Sequence, residues 1–315
     1  MPVQWCRIGR YNGDALNLRG VFLCYTAEMS TKVVVPIRLW RMLRLIAHLL
    51  WGVILTSWLF PRYCREQRVL ATQRWSASLL RMAQIRLRVI GKPDRLYPAN
   101  TLMVANHVSW LDIFVMNAAV VSRFVAKSEI RDWPVIGRMV VNGGTLFIER
   151  EKRRDTARVT KAISQALKDG DCLAFFPEGT TADGTALKPF KSSMFQPAIE
   201  AGADVLPVAL RYVDASGKVL LAASYAGDIS LLQCTWHIVS EPEIYAELIF
   251  GLPVNCAGKS RRELCHHAEL TIATALSLPL PGKKPVAPVD LPALVQSDPH
   301  PTDSPNPRHK DSHPA

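Results

Sequence analysis

The order of apolar patterns between residues 86 and 276 most constrains how this chain can fold. Short apolar runs alternate there with longer stretches whose apolar residues recur at helical spacing. The short runs predict strands and the longer stretches predict helices. The predicted strands are residues 86–90, 101–105, 123–126, 145–148, 172–176, 205–210, 218–222 and 244–250. The predicted helices are residues 111–120, 133–141, 156–168, 193–201, 229–239 and 260–276. This alternation predicts an α/β fold, with a single mixed sheet flanked by helices on both faces.

A histidine and an aspartate follow the second predicted strand at a spacing of five, in Asn106-His107-Val-Ser-Trp-Leu-Asp112. On a loop that runs into a helix, this spacing lets the carboxylate reach one imidazole nitrogen and leaves the other nitrogen free. An imidazole oriented in this way can take a proton from a hydroxyl group. His107 is therefore the leading candidate for a general base.

Three further segments end or contain apolar runs: Gly144-Thr-Leu-Phe147-Ile-Glu149-Arg150, Phe176-Pro177-Glu178-Gly179-Thr180 and Val205-Leu-Pro207-Val208. The guanidinium of Arg150 has the planar fork that matches phosphate oxygens, although an ion pair with Glu149 or Glu151 is the alternative. Gly179 permits a ligand to approach the backbone closely, and an ordinary strand-ending turn is the alternative there.

These four segments, in this order, resemble the glycerophospholipid acyltransferase family, typified by 1-acylglycerol-3-phosphate acyltransferases. The resemblance covers about residues 29 to 278. It implies that His107 and Asp112 are catalytic. It also links the segment of Pro207 to the acyl-donor side or to packing, and we expect packing. It also implies an acyl thioester of coenzyme A or acyl-carrier protein as donor, with no metal and no resident cofactor. The residues that it implies for binding the lysophospholipid acceptor are Arg150, Glu178, Gly179 and Thr180.

The third segment departs from the pattern of many lysophosphatidate acyltransferases, which have an arginine where this chain has Thr181. The segment from Glu178 to Ser193 is similar to the branch that includes lyso-ornithine lipid acyltransferases. Lys191 could supply the absent charge, or it could be a solvated loop residue. The identity of the acceptor head group is therefore left open.

The positive charge of the chain is concentrated in its first third. The formal net charge is +11, and thirteen basic residues lie between Lys32 and Arg95 against two acidic ones. Residues 45–60 form an apolar run shorter than the roughly 20 residues of a spanning helix, and residues 75–90 have a basic amphipathic pattern. We expect a membrane-associated helical pair on an anionic surface, with a buried helical hairpin as the alternative. No nucleic-acid recognition motif accompanies the charge, so we expect no nucleic acid as partner.

The composition divides the chain into four expected regions. Residues 1–28 are expected to be unstructured or an over-extension of the reading frame, 29–90 the helical pair, and 91–278 the α/β acyltransferase domain. Residues 279–315 are rich in proline and are expected to be disordered. The seven cysteines include no Cys-x-x-Cys pair, which predicts reduced thiols rather than a zinc site or a disulfide framework.

The sequence therefore predicts an enzyme at the cytoplasmic face of the inner (plasma) membrane, either monotopic or with a single span. It would acylate a lysophospholipid hydroxyl, first of all that of 1-acylglycerol-3-phosphate, to give phosphatidic acid. A lyso-ornithine lipid is the alternative acceptor, and a non-catalytic lipid-binding membrane protein is the alternative from another class. No nucleophile elbow, zinc-protease motif, phosphate loop or dinucleotide fingerprint is present.

Overall fold

The structure is a computed structural model that describes residues 32–133, 136–148 and 153–281. Within these ranges, nothing is inferred for the side chains of residues 153–156. The expectations for residues 1–28, for Glu149 and Arg150, and for all but the first three residues of the proline-rich segment lie outside the described residues.

Strands in the described part of the chain form one mixed sheet. They are β1 (Ile85–Ile90), β2 (Thr101–Ala105), β3 (Arg123–Lys127), β4 (Leu146–Ile148), β5 (Cys172–Phe175), β6 (Asp204–Val213), β7 (Ile244–Phe250) and β8 (Val254–Asn255). The order is β1-β7-β6-β2-β5-β3-β4, and β8 pairs with the start of β6. β6 runs antiparallel to β7 and β8, and the other pairs are parallel. The predicted single mixed sheet is confirmed.

Helices cover both faces of the sheet, also as predicted. They are α1 (Val35–Ile54), α2 (Arg65–Met82), α3 (Asp112–Ala119), α4 (Ile136–Asn142), α5 (Arg153–Lys168), α6 (Gln196–Ala201), α7 (Leu231–Ser240) and α8 (Arg261–Leu276). One core cluster contains residues of α1 to α4 and α7, and a second contains residues of α5, α6 and α8. The central strand β2 supplies Met103 to the first cluster and Leu102 and Val104 to the second. Successive side chains of a strand point to opposite faces, so β2 is buried on both.

Helix α8 begins as the sequence predicts. Ser260 Oγ accepts a hydrogen bond from the backbone N–H of Glu263, and the Glu263 carboxylate accepts one from the backbone N–H of Ser260. These reciprocal bonds satisfy two backbone donors that the first turn of a helix leaves open.

The predicted strand at residues 218–222 is wrong. The chain turns back after β6 at Gly217, whose φ of +86° is disfavoured for other residues. Val219 alone then bridges to Val213, and Leu221–Ala223 form a single 3-10 turn. Within residues 218–222 only Leu220 packs against the core, whereas Val219 and Leu221 are exposed.

The helical pattern predicted over residues 75–90 ends at Met82. Gln84 takes a φ of +59°, which breaks the helix, and the next six residues pair in parallel with β7 along its whole length. Strand pairing therefore overrides the helical spacing of these residues, and the strand predicted at residues 86–90 is confirmed. Residue 90, at which the sequence divides the helical pair from the α/β domain, is the last residue of β1.

Both helices of the pair pack on the domain: α2 contacts β1 and α3, and α1 contacts α2, α4 and α7. Leu79 and Leu80 of α2 and Leu45 of α1 are buried in the first core cluster. The two helices are joined by His48 and Trp75. Their rings stack, and each side chain donates a hydrogen bond to the other residue's backbone carbonyl. One side of α1 and α2 is thus part of the domain core.

We predict that Leu79→Ala lowers the free energy of unfolding by about 2–5 kcal/mol, because it opens a cavity in a fully buried position. Leu70→Ala, on the exposed side of the same helix, should change it by less than about 0.5 kcal/mol. Denaturant unfolding of both variants in detergent measures the difference. Equal values would show that α2 lies outside the cooperative unit.

Candidate active site

The loop that carries His107 lies between the end of β2 and the start of α3. Because β5 and β3 run parallel to β2, the loops that follow these strands meet at the same edge of the sheet. Asn106 fixes the beginning of the loop: its side-chain amide donates to the carbonyl of Leu210 on β6 and accepts from the Leu210 N–H, both at 2.8 Å. The histidine therefore follows directly after a residue that is pinned to the neighbouring strand.

His107 and Asp112 form the hydrogen-bonded pair that the sequence predicts. His107 Nδ1 lies 2.7 Å from Asp112 Oδ2. The Asp112 side chain is fully buried, and the same oxygen also accepts from the N–H groups of Val108 and Ser109 at 2.7 and 3.0 Å. Its second oxygen, Oδ1, accepts from the hydroxyl of Tyr212 at 2.7 Å. These contacts hold the imidazole by Nδ1, and His107 lines a large cavity.

Phe176 supports the imidazole from one side. The two rings are stacked, with centroids 3.9 Å apart and an angle of 7° between their planes. Phe124 of β3 stacks in turn on Phe176. The sequence contains Phe176 in a recognised segment, but it does not predict this role. The signal available was an aromatic residue at the end of a strand, directly before Pro-Glu-Gly.

Glu178 contacts the loop that carries His107. Its side chain is buried, Oε1 accepts from the backbone N–H of His107 at 2.8 Å, and Oε2 accepts from the backbone N–H of Lys188 at 3.1 Å. Burial raises the pKa of this carboxyl to about 7, although both backbone donors act in the opposite direction. Each oxygen is thus engaged by the protein itself, which assigns Glu178 a structural contact with the loop. Its binding of the acceptor stays a prediction.

Two of the remaining acceptor-binding candidates, Gly179 and Thr180, line the cavity. Gly179 takes a φ of +76°, and both Gly179 and the exposed Thr180 line the cavity with His107. The hydroxyl of Thr181 donates to the carbonyl of Tyr225, so this residue ties the turn to a later loop. Arg150 lies outside the described residues, and its contact with an acceptor stays a prediction.

Pro207 lies in the interior of β6, level with Val104 of β2. Its carbonyl accepts a hydrogen bond from the N–H of Gly251 at 2.9 Å. The proline therefore belongs to the sheet, in keeping with the packing role that was expected of the fourth segment.

The cavity beside His107 has a volume of about 1190 Å³. His107, Phe176 and Thr180 are among its lining residues, and the lining residues of α1, α2, α3 and α4 are mostly apolar. The apolar lining includes Leu49, Leu55, Phe60, Trp75, Phe114 and Met139. The sequence does not predict that the helical pair contributes to the site, because this depends on how the pair folds onto the sheet.

Gly52 allows α1 and α2 to approach closely beside this cavity. A Cβ atom at this position would lie 2.6 Å from the indole of Trp75 and 2.9 Å from the sulfur of Met139. A larger residue would therefore displace the wall of the cavity.

The site joins an oriented imidazole to an apolar cavity of a size that suits a long-chain substrate. No cluster of three or more His, Cys, Asp or Glu residues that could hold a metal ion occurs in the part of the chain that the structure describes. Fold and site together define an α/β enzyme that can activate a hydroxyl beside a bound apolar group.

Comparisons with known proteins agree with this class. A family model described as Acyltransferase matches residues 86–211. The chain is 46% identical over 199 residues to a 1-acyl-sn-glycerol-3-phosphate acyltransferase of Neisseria meningitidis, covering 63% of this chain and 77% of that protein. It is 36% identical over 217 residues to a lyso-ornithine lipid O-acyltransferase of Brucella abortus, covering 65% and 80%. The chain belongs to the acyltransferase family.

The fold is also similar to the crystal structure of the 1-acyl-sn-glycerophosphate acyltransferase of Thermotoga maritima. The TM-score is 0.56 at 18% identity, and the match covers 76% of this chain and 94% of the other. This likeness concerns the fold alone.

We predict that Glu178→Gln lowers kcat by roughly 10-fold or more, since it weakens a hydrogen bond to a charged group that fixes the His107 backbone. The KM for the acceptor should change little. Steady-state kinetics measures both, with the exposed Glu200→Gln as the matched control. A large rise in KM at constant kcat would instead assign Glu178 to acceptor binding.

Proposed function

We propose that this protein transfers a fatty acyl chain from an acyl thioester to the free hydroxyl of a lysophospholipid. The observation that carries the proposal is the hydrogen bond between His107 Nδ1 and the buried Asp112 carboxylate, at the end of a cavity lined mainly by apolar residues. The family to which the chain belongs and the names of its relatives support the same reaction.

The proposed reaction uses His107 as a general base. With Nδ1 bonded to Asp112, Nε2 accepts the proton of the acceptor hydroxyl while the oxygen attacks the thioester carbonyl. Asp112 stabilises the imidazolium that forms. When the tetrahedral intermediate collapses, the C–S bond breaks, the imidazolium returns the proton to the departing thiolate, and the acyl ester and free thiol are released. The protein needs no resident cofactor for these steps.

The proposed place of the acyl chain is the apolar cavity between α1, α2, α3 and α4. Its walls can replace the water around the chain, which is favourable by roughly 0.8 kcal/mol for each buried methylene group. The thioester carbonyl would then lie at the end near His107. The carrier, coenzyme A or acyl-carrier protein, would remain outside.

The acceptor that we propose first is 1-acylglycerol-3-phosphate, in keeping with the Neisseria meningitidis relative. Its phosphate requires a cation. Lys127, at the carboxyl end of β3, lines the cavity, and Arg150 follows two residues after the end of β4.

A lyso-ornithine lipid is the second candidate acceptor. Two observations favour it: the Brucella abortus relative, and Thr181 at a position where the third segment would otherwise carry an arginine. The Thr181 side chain has no charge to offer a phosphate, and its hydroxyl already donates a hydrogen bond to the Tyr225 carbonyl.

We predict that purified protein in detergent acylates 1-acylglycerol-3-phosphate faster than lyso-ornithine lipid when both are offered with a labelled acyl thioester. His107→Ala should lower the rate by roughly 10²–10⁴-fold, since it removes the general base. His237→Ala, at an exposed histidine of α7, is the control and should leave the rate unchanged. A preference for lyso-ornithine lipid would select the second acceptor, and transfer to neither would refute the proposed function.

We further propose that the protein lies on the membrane surface through the outer side of α1 and does not span the bilayer. Among the described residues, one helical stretch, Val35–Arg62, is long and apolar enough to cross a membrane. One side of this stretch packs on the domain, and Arg41 donates to the carbonyls of Val239 and Glu241. The opposite side exposes large apolar residues: Val35, Leu39, Trp40, Leu43, Ile46, Leu50, Trp51, Ile54 and Trp58.

This one-sided exposure favours an interfacial helix, because a spanning helix would have to leave the domain that it packs against. The basic residues of α1 and α2 are suited to an anionic leaflet. Acyl thioesters are made in the cytoplasm, so the proposed face of the membrane is the cytoplasmic one.

We predict that the double variant Leu43→Glu/Leu50→Glu moves the protein from the membrane fraction to the soluble fraction, because it charges the exposed side of α1. The parent should stay with the membrane through a high-salt wash and be released by detergent, since burial of apolar surface is not screened by salt. Leu252→Glu, at a leucine that is 83% exposed between β7 and β8, is the control. Membrane retention of the double variant would contradict the proposed orientation.

A further inference from the structure

One polar contact in the core of the site has no counterpart among the four recognised segments. Tyr212, near the end of β6, is fully buried, and its hydroxyl donates to Asp112 Oδ1 at 2.7 Å. The two residues are 100 positions apart in the chain, so sequence spacing cannot reveal the contact. Tyr212 is the donor that the described structure provides for this oxygen.

The two carboxylate oxygens of Asp112 are held from different parts of the fold. Oδ2 accepts from His107 and from two N–H groups of the same loop, all within six residues. Oδ1 accepts from a strand of the sheet. The loop contacts engage one carboxylate oxygen, and the contact with Tyr212 engages the other, so both oxygens are held.

β6 holds both ends of the catalytic loop. Leu210 bonds to Asn106, the residue before His107, and Tyr212 bonds to Asp112 two residues farther along the strand. A strand in the interior of a sheet is a rigid support. β6 and β2 therefore fix the position of the imidazole together.

The Tyr212 hydroxyl remains a proton donor over the working pH range. Burial, and next the charge of Asp112, raise the pKa of this phenol well above its ordinary value. Titratable groups of the described residues around the pair include Glu178, which contacts the His107 backbone, and the Cys234 thiol of α7, whose pKa burial raises to about 11. Lys188 lies beyond Glu178 and contacts it through its backbone N–H.

We propose that Tyr212 is a positioning residue for acyl transfer, acting through Asp112 to orient His107 and to set how tightly the His107–Asp112 pair holds its proton. This inference rests on the proposed function, because it assigns the pair the role of the base. Loss of the donor would leave one oxygen of a buried carboxylate without a partner. The less stabilised carboxylate would retain a shared proton more tightly, so His107 would become an active base only at a higher pH.

The decisive variant is Tyr212→Phe, which keeps the ring and removes the hydroxyl. We expect kcat to fall by roughly 10-fold, with the KM values for donor and acceptor nearly unchanged. The acidic limb of the kcat–pH profile should move upward by about one pH unit. The matched control is Tyr245→Phe on β7, whose phenol bonds to Glu243 at the surface and away from His107; it should match the parent in all three quantities.

A second measurement does not depend on turnover. Diethylpyrocarbonate modifies unprotonated imidazole, so mass spectrometry of the peptide that contains His107 gives the fraction of reactive His107 as a function of pH. In substrate-free Tyr212→Phe this curve should shift to higher pH, as the acidic limb of the kcat–pH profile does. Unchanged kcat and an unchanged modification curve would overturn the inference, even if the parent enzyme proves to be an active acyltransferase. An inactive parent would instead refute the proposed function.

If Tyr212→Phe does not fold, site-specific replacement of Tyr212 by 3,5-difluorotyrosine keeps both the ring and the hydroxyl. The fluorinated phenol is the stronger hydrogen-bond donor. The kcat–pH profile and the modification curve of His107 should therefore both shift to lower pH. Absence of any movement in this variant would also overturn the inference.

Discussion

The burial of the Asp112 carboxylate is the constraint on which the rest of the site depends. A buried charge is tolerated only when its hydrogen-bonding capacity is met, because its desolvation is otherwise too costly. Here four donors meet it, three from the loop that contains His107 and one from Tyr212 on β6. The donors come together only when β2, the first turn of α3 and β6 are in place. Folding of the domain and orientation of the His107 imidazole, the proposed base, are therefore one event.

A second buried carboxylate, that of Glu178, fixes the backbone of the loop that carries His107. Glu178 binds the His107 N–H, and its carboxyl pKa is raised by burial to about 7. Because the folded-state pKa exceeds the ordinary value, ionisation of this group opposes folding; the effect is absent below the ordinary pKa and complete above about pH 7. The backbone bonds that Glu178 accepts offset part of this cost. The loop is thereby fixed without any contact that must form with substrate.

The first two helices, α1 and α2, contribute to the core, to the cavity and to the exposed exterior of the protein. Their inner residues, such as Leu79, complete the core, and residues between them, such as Trp75, line the cavity beside His107. The outer side of α1 exposes residues such as Trp40 and Leu43. An acyl chain in the proposed site would therefore lie between the proposed membrane surface and the sheet, which gives a lipid a short path to the base.

By itself, the sequence determined the α/β fold, most of its strands and helices, and the His107–Asp112 pair. These follow from local rules: apolar spacing records which side of an element is buried, and a spacing of five on one loop keeps its two partners close. Residues 218–222 show where local rules fail, since a turn decided their conformation. Residues 86–90 fitted both a strand and a helical pattern, and pairing with the distant strand β7 decided between the two. Only the tertiary structure brought Tyr212 to Asp112, Phe176 to the imidazole and the helical pair to the cavity. Contacts between residues so far apart in the chain exist only because the sheet order places β6 and β5 on either side of β2.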